Sequence, residues 1–306
     1  MRLAVAATPE VAFPALDFLR GAQHSLIRVF TTPDKPVGRG RVMMPSPVAT
    51  WAQSNGIECI KVGKAIDMAD SLADIDCVVT IAFGILLPQE ILDIPSHGFI
   101  NLHFSLLPSW RGAAPVQRSI ENGDDHLGIS VFALDAGMDT GPIYRQSSFP
   151  LDQKMRSKEA LEFLGEKGVE LLSHTLEDIS KNILPTAQRT IGVSLARKLS
   201  KEESSIDWSM RVEAIERKIA AFFPNPIART IFRGEVLKIT RSTICSDFGS
   251  EHQLSPGEFF VEKERVLVGT SETPLELIEV IPQGKSEMRA SDWARGARIT
   301  IGERCG

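Results

Sequence analysis

The sequence predicts an α/β protein, with a doubly wound, mostly parallel sheet in its N-terminal part and a small barrel or sandwich of short strands at its C-terminal end. Three observations lead there. Through residues 1–181 short apolar runs alternate with helical patterns, as β-α-β units require. Beyond residue 205 one helix is followed by short β-like runs punctuated by Gly and Pro. A length of 306 residues also favours two domains over one.

Taken in order, residues 2–7 read as a short buried strand. Thr8 caps and Pro9 opens a helix with apolar positions at Val11, Ala12, Ala15, Leu16 and Leu19, and Gly21 stops it. The run 26–31 completes β-α-β. The turn through Ala6, Ala7, Thr8 and Pro9 lacks the GxGxxG fingerprint, which argues against a dinucleotide enzyme despite the similar wind. Residues 32–47 hold four prolines, two glycines and three basic residues. That is too long for an ordinary connection, and a mobile basic finger without structure of its own is expected around Gly38, Arg39 and Gly40. A helix is predicted over 47–55, strands over 57–62 and 77–82, a tight turn over 83–88 and a short helix over 90–93. Residues 113–122 read as helix, 127–134 as strand, 135–142 as a glycine-flanked loop, 143–149 as strand and 158–179 as an amphipathic helix. Periodicity fails over 182–205, which reads as a linker between domains 1–181 and 206–306. A helix over 212–223 and strands over 230–232, 236–240, 257–261, 266–269 and 275–280 complete the chain.

Composition excludes several classes. The net charge of −5 leaves no overall electrostatic footprint for nucleic acid. Two local basic patches remain, Lys35, Arg39 and Arg41 in one, and Arg189, Arg197, Lys198 and Lys201 in the other. The four cysteines (Cys59, Cys77, Cys245, Cys305) form no CxxC pair, so neither a disulfide framework nor a zinc site is indicated, and a reducing cytoplasm is expected. No apolar run approaches the ~18 residues of a membrane helix, and the apolar opening ends too early for a signal peptide.

The stretch 99–112 carries the chemistry. Its first half alternates, with Ile100, Leu102 and Phe104 on one face and Asn101, His103 and Ser105 on the other. Central parallel strands should be apolar throughout, so Asn101 and His103 are out of place as packing. They are well placed as chemistry, because such sheets bind ligands beyond the carboxyl ends of their strands. Asp135 or Asp139, in the loop after a neighbouring strand, adds a carboxylate. Asn can meet a developing oxyanion, a protonated His adds charge, and a nearby Asp keeps that His protonated and orients a proton-relaying water. Ser105 lacks a GxSxG elbow and no Cys is near, so direct transfer of an acyl group between amines fits better than a covalent enzyme intermediate. Against this stands a plainer reading, His103 as a satisfied buried histidine and Asn101 as a turn former. The residues alone do not separate Asp135 from Asp139.

The segments Asn101-Leu102-His103-Phe104-Ser105-Leu106-Leu107-Pro108, Trp110-Arg111-Gly112-Ala113-Ala114-Pro115 and Asp135-Ala136-Gly137-Met138-Asp139-Thr140-Gly141 closely resemble those of the methionyl-tRNA formyltransferases. The likeness extends to the basic loop around Arg39 and to the run Lys198-Leu199-Ser200-Lys201-Glu202-Glu203. The Asn/His segment alone marks a wider group of 10-formyltetrahydrofolate enzymes; the loop, linker and C-terminal domain narrow it. The resemblance implies a Rossmann-like formyltransferase domain, an OB-like barrel, 10-formyltetrahydrofolate as formyl donor without a metal, and the α-amine of methionyl initiator tRNA as acceptor. It assigns catalysis to Asn101, His103 and Asp139, and folate binding to Ser105, Leu106, Leu107, Pro108, Phe83, Gly84, Ile85 and Leu86. It assigns tRNA contact to Lys35, Arg39, Arg41, Lys198 and Lys201, in a monomeric enzyme. The chain departs from the family at Ala7, at Val42 and Met43 where lysines are common, and over 225–230, which lacks Gly-Ala-Trp. Rival readings are formyl transfer to a nucleotide sugar or purine precursor, and a folate- or tRNA-binding module without catalysis.

Overall fold

The computed structural model describes residues 1–38, 40–247 and 254–306. The chain forms two compact units, one comprising Met1–Pro115, His126–Pro150 and Leu161–Arg197, the other Val116–Asp125, Leu151–Ala160 and Lys198–Gly306. This partition differs from the boundaries read from the sequence in two respects. Two short stretches of the N-terminal half group with the second unit, and residues 182–197 of the expected linker are part of the first.

In the first unit, β1 (Arg2–Ala7) is buried after its first residue and leads through a short 3-10 turn to α1 (Phe13–Gly21). β2 (Ser25–Thr31) returns parallel to β1. Residues 32–47 are not without structure: β3 (Lys35–Val37) pairs antiparallel with β4 (Val42–Met44). Val37 faces Val42 across this hairpin, and Arg41 N–H donates to the Gly38 carbonyl at its tip. α2 (Pro47–Asn55) begins where the Ser46 side chain accepts from Ala49 N–H, and Gly56 ends it in the left-handed region. β5 (Glu58–Lys61), β6 (Cys77–Ile81), α3 (Gln89–Leu92) and β7 (Phe99–His103) follow, with a 3-10 turn at Ala65–Ser71 that no sequence pattern announced. Next in the chain come β8 (Arg111–Gly112), α4 (Pro115–Asn122), β9 (His126–Ala133), β10 (Ile143–Pro150), α5 (Ser157–Ser180) and β11 (Leu195–Ala196), of which α4 beyond Pro115 and the start of α5 group with the second unit.

The sheet runs β10-β9-β7-β6-β1-β2-β5. From β5 to β7 every neighbour is parallel, wound outward from the β1/β6 boundary as in doubly wound folds, and only β9 runs against the rest. Ala4, Ala6, Phe30 and Val78 join Met68, Leu72, Ile91 and Phe99 in one buried cluster. On the other side of β7, Gly168 lets α5 lie against Leu102; a Cβ there would come within 2.9 Å of the leucine side chain.

The C-terminal part of the second unit contains α6 (Val212–Phe222), which buries Val212, Ile215, Ile219 and Phe222 at helical spacing. Antiparallel strands follow: β12 (Arg229–Phe232), β13 (Glu235–Ile244), β14 (Phe259–Val261), β15 (Val266–Val268), β16 (Leu275–Pro282) and β17 (Met288–Arg289), in the order β12-β13-β16-β15-β14 with β17 on β16. The sheet is curled, and among the described residues no ladder joins β12 to β14. α7 (Ala290–Ala297) was not foreseen; its Trp293 packs edge-on to Phe232 with ring centroids 5.6 Å apart. Ala290, Trp293 and Ala294 are its buried positions, a helical spacing too short to stand out among strands.

Candidate active site

Phe99, Asn101 and His103 project from one face of β7. Phe99 belongs to the buried apolar cluster, and the two polar residues continue the same row towards the carboxyl end. Asn101 Nδ2 donates to Thr80 Oγ1 at 2.9 Å, and Thr80 donates to the Ile100 carbonyl at 3.1 Å. An amide nitrogen carries two hydrogens, so Asn101 retains a second one beyond its bond to Thr80.

His103 is 6% exposed and stands edge-on to Phe132. Its Nε2 lies 3.0 Å from the Trp110 carbonyl oxygen. A carbonyl only accepts, so the hydrogen sits on Nε2. Nδ1 is then the open position of the neutral ring, and it faces Asp139 Oδ2 at 3.8 Å. Burial pushes the imidazole below its ordinary value, against the smaller opposing pulls of Asp139 and the Trp110 carbonyl. The expectation that a nearby Asp keeps His103 protonated is therefore corrected: desolvation outweighs the carboxylate, and the ring is neutral near pH 7.

The Asp139 carboxylate also accepts from Gly112 N–H at 2.7 Å. Asp135 turns back on its own loop, accepting from Gly137 N–H at 3.0 Å and from the Thr140 hydroxyl at 2.6 Å. Asp139 is thus the carboxylate brought to His103. Asp139, Trp110 and Ala82 all adopt the left-handed conformation, with φ of 54°, 61° and 45°. Such strain persists only where the surroundings over-determine it, and it clusters at binding sites.

The segment 105–108 is buried except at half-exposed Leu106. Ser130 Oγ donates to the Ser105 carbonyl at 2.6 Å and accepts from Leu107 N–H at 3.0 Å. Gln146 Nε2 donates to Leu107 and to Ser130 at 2.9 and 2.8 Å. Ser105 Oγ is itself engaged, donating to the Ser109 carbonyl, while Pro108 follows a cis peptide bond. Leu106 lies over Gly128, where any Cβ would run into it. In the turn after β6, the Phe83 and Leu87 side chains are buried in the apolar cluster, Ile85 is half-buried and Leu86 is 73% exposed. Among the described residues the backbone groups of 83–87 find no backbone partner. With Gly84 at φ 75° and open space beside it, this turn presents free amide donors and acceptors next to apolar surface. Those features fit the edge of a flat, hydrogen-bonding heterocycle such as a pterin.

Of the basic residues singled out, Lys35 and Arg41 lie exposed on the β3–β4 hairpin. Lys198 and Lys201 lie exposed in the second unit. Arg39 falls outside the described residues. Sequence reasoning missed Thr80, Ser130, Gln146, Gln188 and Ser194, which hold the site's backbone; Ser194 Oγ accepts from Trp110 N–H at 2.8 Å. None stands in a periodic pattern, and only contact across the fold reveals them. Among the described residues no cluster of three or more His, Cys, Asp or Glu could hold a metal ion, and no helix is long and apolar enough to cross a membrane.

The formyl transferase family matches residues 1–176, and its C-terminal domain matches residues 198–298. The methionyl-tRNA formyltransferase of Thermobifida fusca is 45% identical over 311 residues, covering 100% of this chain and 99% of that one. That of Streptomyces coelicolor is 43% identical over 312 residues, covering 100% of both. Among solved structures, the methionyl-tRNA formyltransferase from Clostridium thermocellum aligns over 81% of this chain and 95% of its own, at a TM-score of 0.58 and 17% identity. The sugar 3N-formyl transferase WlaRD, crystallised in the presence of dTDP and 5-N-formyl-THF, aligns over 94% of this chain and 99% of its own, at a TM-score of 0.68 and 19% identity. At these identities the structural likeness shows the fold, a Rossmann-like domain followed by a curled antiparallel sheet. With full-length identity above two fifths to proteins of one name and both family domains in place, the chain belongs to the methionyl-tRNA formyltransferases.

Proposed function

We propose that this chain transfers the formyl group of 10-formyltetrahydrofolate to the α-amine of methionyl initiator tRNA, with Asn101, His103 and Asp139 as its catalytic residues. The observation that supports these roles is the placement of the His103 ring, its Nε2 held on the Trp110 carbonyl and its Nδ1 turned to Asp139.

The bound folate supplies a formyl amide whose oxygen gains negative charge as the acceptor amine attacks its carbon. Asn101 holds a second Nδ2–H for that oxygen, fixed in place by its bond to Thr80. A free α-amine has a pKa of about 7.7–8.0 and esterification lowers it, so the acceptor arrives largely neutral. Once the new C–N bond forms, that nitrogen must shed a proton. His103 Nδ1 takes it directly or through water, and the imidazolium so formed lies beside the Asp139 carboxylate, which favours it. The proton then passes to the folate nitrogen as its bond to the formyl carbon breaks, and His103 returns to neutral. Ser105, Leu106, Leu107 and Pro108 form one wall for the folate, and the turn Phe83, Gly84, Ile85 and Leu86 offers the pterin its backbone groups.

Lys35 and Arg41 on the hairpin, together with Arg39, Lys198 and Lys201, serve the phosphates of the acceptor, which makes their contribution salt-dependent. All three catalytic groups come from one chain, which supports a monomer as the working form. Four free thiols and a charged-tRNA substrate support a cytoplasmic enzyme. The test is transfer of labelled formyl from the folate to charged initiator tRNA, charged elongator methionine tRNA and a nucleotide amino sugar. Rapid transfer to the initiator alone is expected. Transfer confined to the sugar, or none at all, would overturn the reading.

A further inference from the structure

The irregular stretch after α5 carries one side chain whose bonding is complete. Gln188 Nε2 donates both hydrogens, to the Asp139 carbonyl at 2.9 Å and the Gly141 carbonyl at 2.8 Å. Its Oε1 accepts twice from Arg111, at 3.2 Å from Nε and 2.6 Å from Nη2. A primary amide has two donor hydrogens and two acceptor lone pairs, so Gln188 has all four in use. Its own backbone is anchored two residues earlier, where Thr186 and Ile143 exchange hydrogen bonds at 2.7 and 2.8 Å.

The clamp grips the loop that most needs it. Asp139 is held in the left-handed region, and Gly141 is pressed so close to the Ala133 carbonyl that a Cβ would collide with it. Gly112 N–H fixes the Asp139 carboxylate, but its backbone carbonyl is fixed by Gln188. Arg111, on the segment that supplies Gly112, is tied to the same amide. One side chain therefore sets the two segments that aim Asp139 at His103.

We propose that Gln188 is a positioning residue, which acts on catalysis through Asp139 by holding that residue's backbone while its carboxylate meets His103. This rests on the role given to Asp139 above. Misplacing a catalytic group by about 1 Å costs up to ~10²-fold. Gln188→Ala is therefore expected to lower kcat about ten- to a hundredfold, with the KM for the folate within about twofold. Gln188→Glu keeps the size and the acceptor for Arg111 but cannot donate to the two carbonyls; the same loss is expected, which guards against a folding defect of the alanine variant.

The decisive experiment is the cycle of Gln188→Ala, Asp139→Ala and the double variant, read as kcat on charged initiator tRNA. If Gln188 works through Asp139, its loss costs less than about threefold once Asp139 is gone. Equal losses in both backgrounds, or either Gln188 variant within twofold of the parent, would overturn the inference and leave the role of Asp139 standing. Parental turnover in Asp139→Ala would remove that role and the inference with it.

Discussion

Strand β7 and the stretch 182–197 meet at the same site but are held by different means. β7 has a hydrogen-bonded neighbour on each side, parallel β6 and antiparallel β9, and its backbone is fixed whatever side chains it carries. The stretch 182–197 is largely exposed, with only the two-residue β11 in a ladder. Beyond scattered backbone bonds, such as those of Thr186 with Ile143 and of Ser194 with Arg111, it is held by individual side chains: Gln188 on the Asp139 loop, and Ser194 on Trp110. A ladder leaves its side chains free for chemistry, whereas a stretch held by side chains uses them up in holding. β7 should therefore lose function without losing structure, whereas substitutions in the later stretch should reach the reaction only through the local backbone they hold.

The largest effect expected is at Asn101. Asn101→Ala should lower kcat by about 10²–10³, as loss of one oxyanion donor does elsewhere. Stability should fall by no more than about 1 kcal/mol, since Thr80 keeps its bond to the Ile100 carbonyl. Single-turnover kinetics and a urea titration check both halves. A turnover within twofold of the parent would remove Asn101 from the reaction.

That division also explains what the sequence could tell. The polar row of Asn101 and His103 was legible because it breaks the apolar pattern of a buried strand, and patterns are local. The strands of the seven-stranded sheet were legible for the same reason. Gln188 was invisible because its partner Arg111 is 77 residues away, and Ser194 because Trp110 is 84 away. β13 (Glu235–Ile244) outruns the expected 236–240 because irregular register near Arg241 breaks its alternation. The hairpin in 32–47 was hidden by its prolines, three of which, Pro33, Pro45 and Pro47, lie outside its strands. His103's neutrality could not be read at all, since burial and the Asp139 distance compete and only the fold sets both.

The pH dependence is the next largest effect. Burial lowers the His103 value, so its acid limb should lie below pH ~6.5, with kcat falling about tenfold per pH unit once the ring takes a proton. Asp139→Asn removes the carboxylate that pulls this value upward, so the limb should move to still lower pH. The acceptor amine titrates identically in both proteins, so the difference between their kcat profiles isolates His103. A limb unmoved, or moved upward, would deny that Asp139 acts on the imidazole. Stability carries the matching sign. The unfolded chain takes the proton near ~6.5 and the folded chain only at lower pH, so His103 costs stability as pH falls through that window.

The smallest effect tests the other half of the contrast. Ser194 Oγ accepts from the Trp110 N–H at 2.8 Å, while Ser194's own backbone accepts from Arg111 N–H at 2.9 Å. Ser194→Ala removes the first and leaves the second. One neutral hydrogen bond is worth about 1 kcal/mol, so exchange of the Trp110 amide should quicken about fivefold while the global unfolding midpoint hardly moves. Trp110 is held at φ 61°, a conformation a bulky side chain leaves readily once a restraint goes, and its carbonyl fixes the His103 tautomer. A modest fall in kcat should therefore accompany the faster exchange. Unchanged exchange at Trp110 would mean that backbone contacts hold residues 182–197 as they hold β7, and the distinction between the two regions would fail.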